Sequence, residues 1–258
     1  MNTKPSAIGI IPARYGSSRF PGKPLVDLGG KPMIRHVLER AKQARSLSRV
    51  LVATDDERIA EAVRSAGGEA RMTPSELPSG TDRMAAVARG MDANIFVNIQ
   101  GDEPLLEPSE IDSVVRILAD DPAASVGTLV KRVTTEEELT SPNTVKVALD
   151  ESGYALYFSR SPIPYVRGGS SPSEWLARAR FYKHIGIYSF RRDFLLQYAH
   201  WPPSALECAE KLEQLRVLEK GFRIKTAETA LEPMCVDTPE DAEAVRRILS
   251  IRQQPQVP

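Results

Sequence analysis

Cysteine is scarce: Cys208 and Cys235 are the only two in 258 residues. Two thiols so placed match no zinc-ligand spacing and supply no disulfide framework. Both read as reduced packing residues. Charge of one sign is also missing, since Lys plus Arg and Asp plus Glu each number 34. That removes the basic excess of a general nucleic-acid binder, though local cationic clusters for phosphates stay open. Long apolar runs are absent, and none approaches the roughly 20 residues that cross a bilayer. Met1 to Ser6 is polar and enters the strand-like AIGII without a basic then apolar leader. The expectation is a cytoplasmic chain with no nucleic acid and no membrane among its partners. With 41% hydrophobic and 26% charged residues, and about three quarters of its unfolded surface to bury, it reads as a single domain, 1–258.

Short β-branched runs alternate with helical periods through the first half. Ala7–Ile11, Arg49–Thr54 and Asn94–Ile99 read as strands. Ile34, Val37, Leu38 and Ala41 fall at i, i+3, i+4, i+7, as do Met84, Val87, Ala88 and Met91, and Ile111, Val114, Val115 and Leu118. Pro32 and Pro108 stand where first helical positions would be. This alternation predicts parallel crossovers in an α/β sheet covered on both faces, with ligands gathering beyond the carboxyl ends of the strands. In the second half, Val145–Leu149 and Tyr154–Phe158 flank DESG as a hairpin, and Ser161–Ser173 is a Pro-, Gly- and Ser-rich loop. Ile185–Phe190 reads as a strand and Ser204–Lys220 as one long helix stopped by Gly221. Thr238, Pro239 and Asp241 form the cap of a final helix.

The strongest local signal follows the first strand: PARYGSSRFPGKP, residues 12–24. A Gly- and Ser-rich turn at a strand end aims backbone N–H groups at an anion. Arg14, Arg19 and Lys23 add cations with no acid among them, as a triphosphate demands. It is no Walker A loop, for Gly16 to Gly22 is one residue too long and Pro24 replaces the metal-binding hydroxyl. The second signal is NIQGDEP, residues 98–104. Asp102 there reads either as part of a plain Gly-Asp turn or as a Mg²⁺ carboxylate facing phosphates. Magnesium takes one or two protein carboxylates, and Asp237 is the second candidate, equally readable as a capping residue. Ser79-Gly80-Thr81-Asp82-Arg83 opens a helix whose N–H groups suit a base, ribose or phosphate, or is simply a capped surface turn. His184 alone reads as a hydrogen-bonded structural histidine. Arg160 pairs with a ligand carboxylate, or with Asp150 or Glu151. Trp175 and Trp201 read as packing or interface residues. No G-x-S-x-G, H-E-x-x-H or supported Cys/His pair is present. Nucleotidyl transfer needs no such nucleophile, because it works by positioning and charge neutralisation.

Together IPARYGSSRFPGKPL, SGTDR, NIQGDEP, ALYFSR, HIGIY, LEQLR and VDTPED resemble the 3-deoxy-manno-octulosonate (Kdo) cytidylyltransferases, in family order over about nine tenths of the chain. The resemblance implies a Rossmann-like, mixed but mainly parallel sheet flanked by helices, the nucleotide-diphospho-sugar transferase fold. It implies a smaller arm, about 155–205, for sugar binding and homodimerisation, and CTP, Kdo and Mg²⁺ as partners. It assigns Arg14, Arg19 and Lys23 to the CTP phosphates, Ala13 and Ser79, Gly80, Thr81 and Arg83 to the nucleoside, and Asp102 and Asp237 to the metal. Gln100, Arg160, His184, Tyr188, Glu213 and Gln214 fall in segments resembling the sugar-binding ones. The resemblance is weakest over Ser161–Trp175. Arg14, Lys23, Asp102 and Asp237 are the expected catalytic groups. The rival expectations are a transferase for an 8-amino Kdo analogue or another acidic sugar, and a nucleotide sensor without catalysis, which would bind CTP with no turnover.

Overall fold

The computed structural model describes residues 6–16 and 20–253. The chain forms two compact units, one running up to Asp112 and resuming at Glu232, the other spanning Ser113–Leu231. In the first unit, β1 (Ala7–Ala13), β2 (Arg49–Thr54), β3 (Glu69–Met72) and β4 (Ile95–Asn98) lie in the order β3-β2-β1-β4. Every pairing among them is parallel. Parallel neighbours require crossovers, supplied here by α1 (Met33–Ala41), α2 (Glu57–Ser65) and α3 (Gly80–Ala88). The α1 period buries as expected, with Ile34, Val37, Leu38 and Ala41 all fully enclosed, whereas in α3 Met84 and Ala88 are buried, Val87 is only partly so, and Met91 lies beyond the helix end. In strands covered on both faces, consecutive residues are apolar, and Ile10 with Ile11, Leu51 with Val52, and Phe96 with Val97 are buried back to back.

From α4 (Pro108–Asp120) the chain enters the second unit. There β5 (Val126–Arg132) is followed by α5 (Glu136–Thr140), β6 (Lys146–Leu149), β7 (Ala155–Ser159), α6 (Pro172–Arg178) and β8 (Tyr182–Arg191). After them come α7 (Arg192–Tyr198), α8 (Ala205–Glu210), α9 (Gln214–Glu219) and β9 (Ile224–Glu228). β5 pairs antiparallel with β8 and parallel with β9, while β6 pairs antiparallel with β7 and β8. The strand content is therefore mixed, parallel in the first unit and largely antiparallel in the second. The expected hairpin is β6–β7, its turn closed by Gly153 at φ 76°, where a side chain would be strained. The expected arm of about 155–205 falls inside this unit.

The chain then returns to the first unit for α10 (Pro239–Gln253). Val236, Ala242 and Val245 are fully buried with Leu28 and Met33 in one cluster. That packing carries Asp237 back to the stretch following Lys23.

Three expectations are corrected. The single helix over Ser204–Lys220 is two, α8 and α9, broken at Lys211, whose φ of 55° is left-handed. The break is held by a buried ion pair across it: Arg216 donates to Glu207 through Nε at 2.7 Å and Nη2 at 2.5 Å. Pro32 caps α1 from outside, with the helix starting at Met33. Cys208 and Cys235 are free as expected but exposed, so neither is a core packing residue.

Candidate active site

β1 delivers the cationic loop. Ala13 is buried at the strand end and Arg14, next in line, is exposed. The Gly22 N–H donates to the Tyr15 carbonyl at 3.0 Å, closing the loop on itself. Gly22 adopts φ 72°, and a Cβ there would meet the Tyr15 ring at 3.2 Å, while the Arg58 guanidinium lies 3.5 Å over that ring. Arg19 lies outside the described residues. Lys23 opens a single 3-10 turn, Lys23–Leu25, and its ammonium points inward.

That ammonium lies between the two acids expected to hold a metal. Lys23 Nζ donates to Asp102 Oδ2 at 2.7 Å and to Asp237 Oδ1 at 3.1 Å. The lysine side chain is only 14% exposed. Burial on its own would lower its pKa, but Asp102 and Asp237 outweigh that and the net shift is upward. Asp102 follows the end of β4 in a turn, and its carbonyl accepts from the Val236 N–H at 2.9 Å. This bond ties the 236–237 segment to the 101–102 turn. Gly101 lets that turn lie against the end of β1, because a Cβ there would sit 2.8 Å from the Pro12 carbonyl oxygen.

The two readings of Asp237 are now separated. Asp241 Oδ2 accepts from the N–H groups of Asp237 and Thr238 at 3.0 and 2.9 Å, and Thr238 Oγ1 accepts from the Asp241 N–H. Thr238 and Asp241 thus form the α10 cap, and the Asp237 carboxylate turns to Lys23. Beside Asp102, Glu103 is buried, and desolvation followed by the neighbouring Asp102 charge pushes its carboxyl up to about 8. Cys235 Sγ donates to it at 3.5 Å. Glu103 stays protonated near neutral pH and adds no third negative charge. Nothing in the sequence distinguished it.

No group of three or more His, Cys, Asp or Glu that could hold a metal occurs among the described residues. Two carboxylates already sharing one cation are nevertheless the donor set Mg²⁺ takes when substrate oxygens and water complete its shell. The residues present fit that ion.

The Ser79–Arg83 segment opens α3. Ser79 Oγ caps it, accepting from the Asp82 N–H at 3.1 Å, and a Cβ on Gly80 would lie 3.3 Å from the Pro12 ring. Thr81 is buried, with Asn98 donating to its hydroxyl at 3.5 Å. Arg83 is 3% exposed. Its guanidinium is held by Asp55 Oδ2 at 2.9 Å and by the Thr73 hydroxyl. Arg83 therefore braces α3 against the ends of β2 and β3.

The sugar candidates divide between the units. Gln100 follows β4 in the first; Arg160, His184, Tyr188, Glu213 and Gln214 belong to the second. Along β8 the register with β5 slips between Thr128 and Leu129, which face Tyr188 and Ile185 respectively. Gly186 and Ile187 are the surplus residues, forming a bulge. The bulge draws the His184 and Tyr188 rings to 5.1 Å, whereas positions i and i+4 of a regular strand lie about 13 Å apart. Burial pushes His184 down to about 3 and keeps it neutral, although the residue as a whole is only partly buried. Burial, then Glu213 and Tyr198, hold the Tyr188 phenol well above its ordinary range. Gln214 is buried and Glu213 exposed at the start of α9. Arg160 pairs with neither Asp150 nor Glu151. It donates to the carbonyls of Glu210, Pro142 and Lys211 at 2.7, 2.9 and 3.4 Å, using three of its five donors to fix the turn before Glu213.

A cation loop at one strand end, an acid at a neighbouring strand end and a second acid returning to them are the parts a nucleotidyltransferase needs. A cytidylyltransferase family model matches residues 8–226. The chain is 55% identical over 240 residues to 3-deoxy-manno-octulosonate cytidylyltransferase of Geobacter sulfurreducens, covering 92% of this chain and 96% of the relative. It is also 55% identical to the same-named protein of Geotalea uraniireducens, with the same coverage. A solved structure of CMP:2-keto-3-deoxy-manno-octonic acid synthetase complexed with CTP superposes with a TM-score of 0.89 at 46% identity. That match covers 96% of this chain and 99% of the other. The chain belongs to the 3-deoxy-manno-octulosonate cytidylyltransferase family, and its mixed, mainly parallel α/β fold is theirs.

Proposed function

We propose that the protein joins CMP from CTP to Kdo, releasing pyrophosphate and giving CMP-Kdo for lipopolysaccharide synthesis. The observation that most supports this is the Lys23 ammonium shared by Asp102 and Asp237 at the end of β1. In this reading the anomeric hydroxyl of Kdo attacks the α-phosphorus of CTP in line, and the bond to pyrophosphate breaks. Arg14, Arg19 and Lys23 bind the triphosphate and offset the charge that grows on the departing pyrophosphate. Ala13 and the N-terminal turn of α3, with Ser79, Gly80 and Thr81, contact the nucleoside, and Arg83 keeps that turn in place. Asp102 and Asp237 would hold Mg²⁺, which supplies Lewis acidity toward phosphate oxygens and lowers the pKa of the incoming hydroxyl. Gln100, His184, Tyr188, Glu213 and Gln214 contact the sugar, and the remaining Arg160 donors take its carboxylate.

The chain works as one nucleotidyltransferase domain, with 155–205 serving sugar binding and homodimerisation, in the cytoplasm. Among the described residues no helix is long and apolar enough to cross a membrane. Pyrophosphate release is the test, measured with CTP and Mg²⁺ and with Kdo, its 8-amino analogue or a sialic acid as acceptor. Release is expected with CTP and Kdo together and not with ATP, GTP or UTP. A faster reaction with another acidic sugar would move the assignment to that sugar, and CTP binding without release from any acceptor would favour a sensor.

A further inference from the structure

Thr128 was not among the residues singled out by sequence, yet it organises the bulge that carries His184. It is fully buried in β5. Its Oγ1 lies 2.8 Å from the Ile187 carbonyl oxygen, 3.1 Å from that of Ile185 and 3.0 Å from His184 Nε2. A hydroxyl has one proton to give and lone pairs to accept with. Both carbonyls can only accept, so the proton goes to one of them, Ile187 being the nearer. What the oxygen then offers the ring is a lone pair, and the imidazole must bring the proton on Nε2. The opposite tautomer would pull the hydroxyl proton away from two buried carbonyls at once, leaving both facing lone pairs. The ring cannot turn away easily. Phe158 meets it edge-on at 5.3 Å, and Tyr188 lies against it at 5.1 Å. A neutral imidazole protonated on Nε2 carries a bare lone pair on Nδ1.

We propose that Thr128 is a positioning residue that locks His184 in the Nε2–H tautomer, so that Nδ1 accepts a hydrogen bond from a hydroxyl of the acidic sugar. This rests on the reading of His184 as a sugar contact. It also divides the recognition chemistry: an acceptor nitrogen suits a hydroxyl and repels a carboxylate, which therefore falls to Arg160. The two surplus residues of the bulge turn the Ile185 and Ile187 carbonyls onto Thr128, as bulges beside functional sites commonly re-aim side chains.

The test combines nitrogen NMR of histidine-labelled protein with kinetics on Thr128→Val and Thr128→Ser. The chain has three histidines. His36 is an internal reference, because its Nε2 faces the Leu28 carbonyl at 2.7 Å and must donate there. In the ligand-free wild type, His184 is expected to show a protonated Nε2 and a bare Nδ1, and Thr128→Ser to preserve both. In Thr128→Val the tautomers mix, and the KM for the sugar rises as the Nε2–H fraction falls, about twofold for an even mixture. The CTP KM and kcat are unchanged. A wild-type ring protonated on Nδ1 overturns the proposal even if the valine variant does not fold. An unchanged tautomer, or an unchanged sugar KM in a valine variant that turns over, also overturns it. If the wild type turns over no acidic sugar with CTP, the functional reading fails instead, and the ligand-free spectrum still decides whether Thr128 sets the ring.

Discussion

Asp102 stands next to a protonated Glu103 and against Lys23, so its negative charge is the one that matters at that turn. Asp102→Asn keeps the shape and removes the charge. Turnover is expected to fall at least about 10²- to 10³-fold, with CTP affinity falling less, as pyrophosphate release and calorimetry with CTP would show. Near-normal release would remove Asp102 from the machinery. His184 gives a second, independent signature. Its folded pKa of about 3 lies below the ordinary 6.5, so between those values the unfolded chain binds a proton that the folded chain refuses. Its contribution is fully present above pH 6.5 and lost as pH falls, at up to about 1.4 kcal/mol per unit. Between pH 7.5 and 5.5, urea unfolding of the wild type should therefore lose about 1 kcal/mol more than His184→Asn does. Equal losses would mean that the ring is already solvated. At this scale the sequence announced the charged groups and hid the neutral ones. Lys23, Asp102 and Asp237 stood out as a loop cation and strand-end or cap acids. Thr128 and Glu103 have no local mark, because their importance comes from burial and from neighbours distant in the chain.

Among the elements, legibility followed periodicity. α1 and α4 present four apolar residues at helical spacing and bury them all. α2 offers only Ile59, Ala60 and Val63 in a charged stretch and went unread. So did β5, whose buried Thr128 interrupts an apolar run. The break between α8 and α9 was hidden for another reason: Lys211 is an ordinary helix former, and the left-handed turn there is imposed by the Arg216–Glu207 pair and by Arg160. Glycines of the first unit carry a testable version of the same lesson. Gly101 has the Pro12 carbonyl within 2.8 Å of where a Cβ would be, whereas Gly90 has nothing within 4 Å. Main chain cannot step aside as a flexible side chain can. Gly101→Ala is expected to cost about 1–3 kcal/mol and to displace Asp102, with activity lost in parallel. Gly90→Ala should be near neutral in both. Thermal unfolding and pyrophosphate release on the two variants would separate them, and a silent Gly101→Ala would mean that the turn is looser than its geometry.

Over the whole molecule, the parallel crossovers of the first unit were legible because they follow from alternating patterns. The meeting of residues 23, 102 and 237 was expected from what magnesium asks of carboxylates and from the family resemblance, not from spacing, since Lys23 and Asp237 are 214 positions apart; the burial of Val236 beside Leu28 and Met33 is what brings Asp237 there. The bridge they form has a consequence for the order of events. A tethered monovalent charge already keeps the two acids from repelling each other, so a divalent ion taken by this pair, as proposed, would have to evict a resident. If the resident leaves the acids about one time in ten, the apparent metal affinity falls about tenfold. A polyphosphate gives the evicted ammonium somewhere else to go. Metal and nucleotide are then guests that admit one another. Lys23→Met should accordingly bind Mn²⁺ without any nucleotide about tenfold more tightly than the wild type, as read by electron paramagnetic resonance. Equal affinities would mean that the lysine guards nothing.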